Sequence, residues 1–322
     1  MKNTQKQNNI NYDMTNYLRD KKILLLGGSG FVGKSIIKKL LEFGARVIVI
    51  SRQQNKVKVS KISGEPGQLE IVSANIFEEG ILENYIKDKF AVINLCGILF
   101  EREPNEFEKI HTFLPDLISE ICKENLISKF IHISALGASE NSKSLYSRTK
   151  ALGEKRAIKN FENCYVIRPS IIYGNGDNFF GQFAKMSKLS PFLPLIGAKT
   201  MFQPIYVEDV ALAVVKLLEN HKTDKKIYEI GGPKKYSFEN LLQMMLKILK
   251  RKRILVKLNP RVMMIPGYFF SFLPNPPFTS DQMKLLMSDN LVNTEMPGLE
   301  DLNIDATNLE AVLPKILKFY KT

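Results

Sequence analysis

Two side chains four positions apart, Tyr146 and Lys150 in the segment YSRTK, are spaced to share one face of a helix and to move a proton together. A phenol with an ordinary pKa near 10 is a poor base at neutral pH. A neighbouring ammonium group favours the phenolate and brings it toward useful acid/base work. Ser134 closes an apolar run shortly upstream, where its hydroxyl could hold a substrate oxygen beside the phenol. Ser134, Tyr146 and Lys150 are therefore the candidate catalytic group. Tyr-x-x-x-Lys alone occurs on many surface helices, and a serine at a strand end commonly caps or faces solvent. What gives the three weight is their order behind a glycine-rich loop.

That loop is GGSGFVG at 27–33, with Gly27, Gly30 and Gly33 at G-x-x-G-x-x-G spacing. It follows the apolar run Ile23 to Leu26 and opens a helical pattern through Val32, Ile36, Ile37, Leu40 and Leu41, stopped by Gly44. Glycine there permits a tight turn, close backbone approach to a pyrophosphate and close packing of helix on strand, and the helix N-terminus favours the anion. A plain strand-to-helix turn is the simpler alternative, and three glycines in register argue against it. Gly27, Ser29, Gly30, Phe31, Val32 and Gly33 are the expected cofactor contacts in this loop. A second strand, Val47 to Ile50, ends in Ser51 and Arg52. Dinucleotide folds place an acidic residue here for ribose hydroxyls or a basic one for a 2′-phosphate. Arg52 thus predicts a preference for NADP(H), with NAD(H) as the alternative; a solvated loop cation is the reading without function.

The elements that must hold these groups follow from apolar runs. Strands are predicted at Ile23 to Leu26, Val47 to Ile50, Leu69 to Val72, Ala91 to Leu95, Phe130 to Ser134, Tyr165 to Arg168 and Ile227 to Ile230. Helical patterns separate several of them, which predicts an α/β, Rossmann-type doubly wound parallel sheet. Beyond Arg168, Pro169, Gly174, Gly176, Pro191, Pro194, Gly197 and Pro204 interrupt short apolar pieces. Helices are expected from Glu208 to about Leu218, from Phe238 with Ser237 as N-cap, and through Leu309, Val312, Leu313, Ile316 and Leu317. The expected organisation is a flexible tail over 1–20, a nucleotide-binding domain over 21–170 with later returns to the sheet at 203–232, and a mixed substrate or interaction region over 171–322.

Composition excludes several classes. With 322 residues, 44% hydrophobic and 25% charged, the chain suits a globular enzyme and not a disordered or fibrous one. A formal net charge of +13 favours anionic partners: phosphates, acidic lipid or nucleic acid. The only dense basic run is Lys250 to Arg253 and no nucleic-acid motif accompanies it, so no specific nucleic acid is expected. Cys96, Cys122 and Cys164 lack C-x-x-C spacing and suit a reducing compartment. No secretory or transit signal is read in the first 20 residues, and no run is long enough to span a membrane. His111, His132 and His221 are scattered, which predicts no metal site; His132 reads as a packed core residue. The apolar stretch Val262 to Leu273, following the basic run, reads either as a buried helix or as a segment in a membrane interface.

The glycine loop, then a strand ending in Ser134, then Tyr146 and Lys150 resembles the short-chain dehydrogenase/reductases of the extended or atypical type, the NAD-dependent epimerase/dehydratase superfamily. VINLCG at 92–97, with Gly97, resembles that family's fourth strand. SANIFE at 73–78, with Asn75 and Ile76, occupies its adenine-contacting place, and RPSIIYG at 168–174, with Pro169, resembles its Arg-Pro segment. Many members carry Asp where this chain has Asn75; an amide can still bond adenine. Tyr146 and Lys150 would also contact the cofactor. Within the superfamily, KFIHISALGA at 129–138, QPIYVEDVA at 203–211, TSDQMKLLMSDN at 279–290 and MPGLEDLNI at 296–304 resemble the NAD(P)H-binding accessory subunit of respiratory complex I and its bacterial homologues. The resemblance implies an oxidoreductase fold holding NADP(H), partnered by complex I subunits or an anionic membrane surface. It implies a cytoplasmic location, peripheral on the inner face of the membrane in a bacterium. Hydride transfer to or from an unknown small carbonyl or alcohol substrate is the activity it allows. The alternatives are a non-catalytic, nucleotide-loaded structural or assembly factor, and a sugar-nucleotide epimerase/dehydratase or quinone-synthesis enzyme.

Overall fold

The computed structural model describes residues 17–52, 64–219, 223–259 and 279–321. The expected tail up to residue 16, His221 and the stretch Val262 to Leu273 lie outside the described residues.

Seven strands form one parallel sheet in the order β11-β6-β5-β4-β1-β2-β3. They are β1 (Lys22–Leu26), β2 (Arg46–Ser51), β3 (Leu69–Ser73), β4 (Ala91–Asn94), β5 (Lys129–Ile133), β6 (Cys164–Pro169) and β11 (Ile227–Ile230). Every predicted strand is present, within a residue or two at its ends. β1 shows why a continuous apolar run makes an interior parallel strand. Ile23 and Leu25 enter the core on one face, and Leu24 and Leu26 enter the core on the other. On the first face pack α1 (Phe31–Glu42) and α6 (Val207–Glu219), through Ile36, Ile37 and Leu40 against Val210, Val214 and Leu217. On the second lie α2 (Ile81–Ile86), α3 (Leu114–Glu124) and α4 (Leu145–Asn160), with Ile118, Ile121 and Ala157 against Phe130 and Val166. Each such buried aliphatic side chain contributes about 1.5–3 kcal/mol.

The rest of the chain makes a second cluster around Tyr173, Phe180, Phe183, Leu242, Met245 and Leu313. Its helices are α5 (Phe180–Leu189), α7 (Phe238–Leu249), α8 (Ser280–Leu285) and α9 (Leu309–Ile316). Short strands β7 (Ile172–Tyr173), β8 (Phe192–Ile196), β9 (Met201–Phe202), β10 (Ile205–Tyr206), β12 (Tyr236–Ser237) and β13 (Ile254–Leu258) pair in twos. Ser237 caps α7 as expected, its Oγ accepting from the Asn240 amide at 3.1 Å. Asp209 does more than start α6: it accepts from the backbone and hydroxyl of Thr307, both at 2.8 Å, and so ties the C-terminal region to the sheet.

For the site, one topological fact matters most. Strand order reverses between β1 and β4, so the connections leave in opposite directions and a crevice opens at the carboxyl ends of these strands.

Candidate functional site

In that crevice lies a cleft of about 550 Å³, within the range of small-molecule sites. Gly27, Ser29, Gly30, Ser51, Arg52, Asn75, Ile76 and Gly97 line it, so residues from four separate segments of the sequence converge there. Its floor is the turn from β1 to α1. Gly27 takes φ +80°, and a Cβ at Gly33 would lie 2.6 Å from the Gly28 backbone, so helix and strand pack closely only with glycine there. Gly30 differs: a Cβ there meets only the Gly27 carbonyl oxygen, at 3.5 Å. No side chain caps α1 at Gly30 and no acidic residue lies in its first turn, which leaves amide donors and the positive helix end for an anion. These residues fit a dinucleotide pyrophosphate.

Phe31, Val32 and Gly33 belong to α1 and do not line the cleft, nor does Pro169, which ends β6 and accepts from the Leu136 amide at 3.0 Å. Asn75 Oδ1 accepts from the Phe77 amide at 3.2 Å, holding the turn after β3.

The candidate pair, Tyr146 and Lys150, adjoins the cleft through Gly97, where a Cβ would sit 3.2 Å from Lys150 Nζ. Both Tyr146 and Lys150 are on α4, as their spacing predicts. Their electrostatics differ from expectation. Burial, then the charge of Glu154, pushes the Tyr146 phenol up to about 12. Lys150 is lowered to about 8 by burial, against the opposing pull of Glu154. The reason is directional: Lys150 Nζ donates to the Ile133 carbonyl at 3.3 Å, and Glu154, one turn further along α4, answers its charge. Tyr146 therefore presents a protonated phenol at neutral pH. Ser134 directly follows β5, at the strand end where it is expected. Its Oγ is buried without a hydrogen-bond partner among the described residues, near enough to Glu154 to favour that carboxylate.

Sequence reasoning missed three supports. Glu154 is 2% exposed in its side chain and pairs with Arg168 at 2.6 Å, which in turn reaches Glu229 at 3.2 Å. The i+4 step from Lys150 to Glu154 was a legible signal for this network. His111 sits on a π-helical turn (Glu108–Phe113), an irregularity often found at functional sites. Its Nε2 accepts from the Ile98 amide at 3.1 Å and its Nδ1 meets Thr149 Oγ1 at 3.2 Å. Burial and Lys150 drive its pKa down to about 2, so the ring is neutral and braces the edge of Tyr146 with ring centroids 5.2 Å apart. Nothing in the sequence marks a π-helix. The third support, Asp281, comes from far along the chain and accepts from the Leu145 and Tyr146 amides. His132 is fully buried in β5, as expected of a core residue, with Nδ1 3.3 Å from Asn94 Nδ2.

Residues 23–231 match the NAD dependent epimerase/dehydratase family over the whole sheet. The chain belongs to that family. Among the family's structures, UDP-N-acetylglucosamine 4-epimerase from Methanobrevibacter ruminantium M1 superposes with a TM-score of 0.68 at 18% identity, covering 94% of this chain and 97% of that one. UDP-glucuronic acid 4-epimerase from Bacillus cereus, solved with NAD, gives 0.62 at 20% identity, covering 82% and 99%. At such identities the likeness is one of fold. Nearer in sequence is the mitochondrial NADH dehydrogenase (ubiquinone) 1 alpha subcomplex subunit 9 of Dictyostelium discoideum, 31% identical over 92% of this chain and 84% of that protein. Its counterpart in Mus musculus is 30% identical over 92% and 80%. This epimerase/dehydratase chain is thus homologous to complex I subunits across most of its length.

Proposed function

We propose that this protein holds a nicotinamide dinucleotide in the crevice between β1 and β4 and acts as a nucleotide-loaded, atypical short-chain dehydrogenase/reductase of the respiratory chain. The observation that carries the reading is the cradle itself. Two of its glycines are required by the fold, and the third leaves open space over uncapped amides. In this reading residues 21–170, with the later strand near 227, are the nucleotide-binding part and 171–322 the substrate or interaction part. Arg52, exposed at the rim of the cleft, would pair with a 2′-phosphate and favour NADP(H). Such a nucleotide supplies hydride transfer when bound. Lys150 would then bond the ribose and Tyr146 would move a proton at a substrate oxygen. With its pKa raised, the Tyr146 phenol stands in the form that donates a proton to a substrate oxygen.

The test is to identify nucleotide released on denaturing the purified protein and to follow its oxidation state with cell extract. Retained NADPH that never oxidises is expected; nucleotide that exchanges and turns over would establish a working dehydrogenase or epimerase instead. Arg52→Ala should weaken NADPH binding about tenfold and leave NADH binding unchanged, the ordinary size of a charged hydrogen-bond loss. Equal effects on both would remove the assigned role of Arg52.

The complex I homology and one surface feature support placement at the inner face of the membrane. Register partners Phe192 of β8 and Ile254 of β13 are both exposed, with Leu189 and Val256 beside them and Lys250 and Lys252 on the adjoining turn. An apolar patch with adjacent cations suits anionic lipid. The two arginines of the basic run are spent internally: Arg251 donates to Ala184 and Ser187, and Arg253 to the Ser187 carbonyl. The protein should float with anionic vesicles at low salt and less at high salt; absence of salt-sensitive flotation would remove lipid as the partner. Among the described residues no helix is long and apolar enough to cross a membrane.

A further inference from the structure

The start of α4 is held from outside the nucleotide-binding part. Asp281, on α8, places its carboxylate on that helix end: Oδ1 accepts from the Leu145 amide at 2.8 Å and Oδ2 from the Tyr146 amide at 3.1 Å. Oδ2 also accepts from the Ser144 hydroxyl at 2.6 Å. Ser144 is the N-cap, and its own Oγ reaches the Ser147 amide only at 3.3 Å. The orphan donors of the first turn are thus met mainly by a residue more than a hundred positions away in sequence. A negative charge there is also favoured by the helix dipole.

Asp281 is itself firmly placed. Thr279 and Gln282 form a reciprocal capping box at the start of α8, and Met283 is fully buried. Gln282 Nε2 also donates to the Leu99 carbonyl at 3.4 Å, on the segment that follows Gly97 at the cleft. One short helix therefore touches both sides of the acid/base site.

The consequence falls unequally along α4. Tyr146 lies in the first turn, so its phenol goes where that turn goes. Lys150 lies a turn deeper, anchored through Ile133 and Glu154. The Tyr146 ring is braced sideways by Phe107 and His111, with centroids 5.9 and 5.2 Å away, but neither contact holds its backbone. We propose that Asp281 is a positioning residue: it fixes Tyr146 beside the nicotinamide half of the site and couples the C-terminal segment to nucleotide occupancy. This rests on the dinucleotide reading. By linkage, the coupling runs both ways, so a nucleotide that uses Tyr146 must also stiffen the α8 region.

The test compares Asp281→Ala and Asp281→Asn with the unaltered full-length protein, using NADPH, NADH and ADP-ribose, which lacks the nicotinamide. Losing charge-assisted bonds at one end of the site should weaken the nicotinamide nucleotides about tenfold in the alanine variant, and less in the asparagine variant, which keeps an acceptor. ADP-ribose affinity should stay within about twofold. Hydrogen exchange of residues 279–286 should slow when a full dinucleotide is added to the unaltered protein, and not when ADP-ribose is added. Equal losses for all three ligands, or no loss for any, would overturn the proposal even if the melting temperature falls. Should the alanine variant not fold, the asparagine variant is read on the same scale. Failure of the unaltered protein to bind any of the three would instead refute the dinucleotide reading, and the proposal with it.

Discussion

Gly30→Ala is expected to weaken dinucleotide binding by at least about tenfold while leaving the melting temperature unchanged. The backbone at Gly30 is extended, with φ −76° and ψ 176°, so alanine introduces no strain there. The added methyl meets no protein atom closer than 3.5 Å, and the residue lines the cleft. Gly33→Ala should behave differently, losing both binding and stability, because its Cβ would lie 2.6 Å from the Gly28 backbone. Overpacking of that kind costs about 1–3 kcal/mol, and it moves the helix end proposed to receive the anion. Thermal melts and nucleotide titration on the same samples separate the two. Unchanged binding in Gly30→Ala would mean that no pyrophosphate lies over this loop.

Arg168→Leu should destabilise the protein by about 3–5 kcal/mol at pH 8, the cost of leaving a buried charge without its partner. Glu154 is 2% exposed in its side chain and its ion pair is with Arg168, which also pairs with Glu229. The loss should depend on pH with a definite sign. Burial already raises the Glu154 pKa, with Arg168 opposing it, so removing Arg168 raises it further. A folded-state carboxyl pKa above the unfolded value means that the folded state holds the proton more tightly. Its stabilising contribution is then present below the unfolded pKa and is lost as pH rises through the folded one. The deficit of the variant should therefore narrow toward pH 5 and widen toward pH 8, as read from urea midpoints. A deficit that does not vary with pH would show that Glu154 is not the group left uncompensated.

How much of this was legible varied from residue to residue. Ile23 to Leu26 or Val47 to Ile50 could hardly be anything but interior strands, since only a sheet covered on both faces buries an unbroken apolar run. The glycine spacing at 27, 30 and 33 was legible as a tight turn with close helix packing for a similar reason: a turn, a close packing contact and an open approach are local demands. The spacing of Tyr146 and Lys150 was equally local, and α4 carries both as expected. Their ionisation was not legible. A pKa depends on every charge and every loss of water around a group, and burial, then the Glu154 carboxylate, raised the Tyr146 phenol against the anticipated pull of Lys150.

The same division runs through the whole protein. Sequence by itself determined the seven parallel strands, the glycine turn at the end of β1 and the helix that carries Tyr146 and Lys150, because period, spacing and glycine chemistry act over a few residues. Only the tertiary structure decided that the Ser134 hydroxyl is buried without a partner among the described residues, that a π-helical turn sets His111 against Tyr146, and that Asp281 holds the first turn of α4. Those contacts join segments far apart in the chain. Their partners are chosen by how helices and strands pack, a choice that no local pattern records.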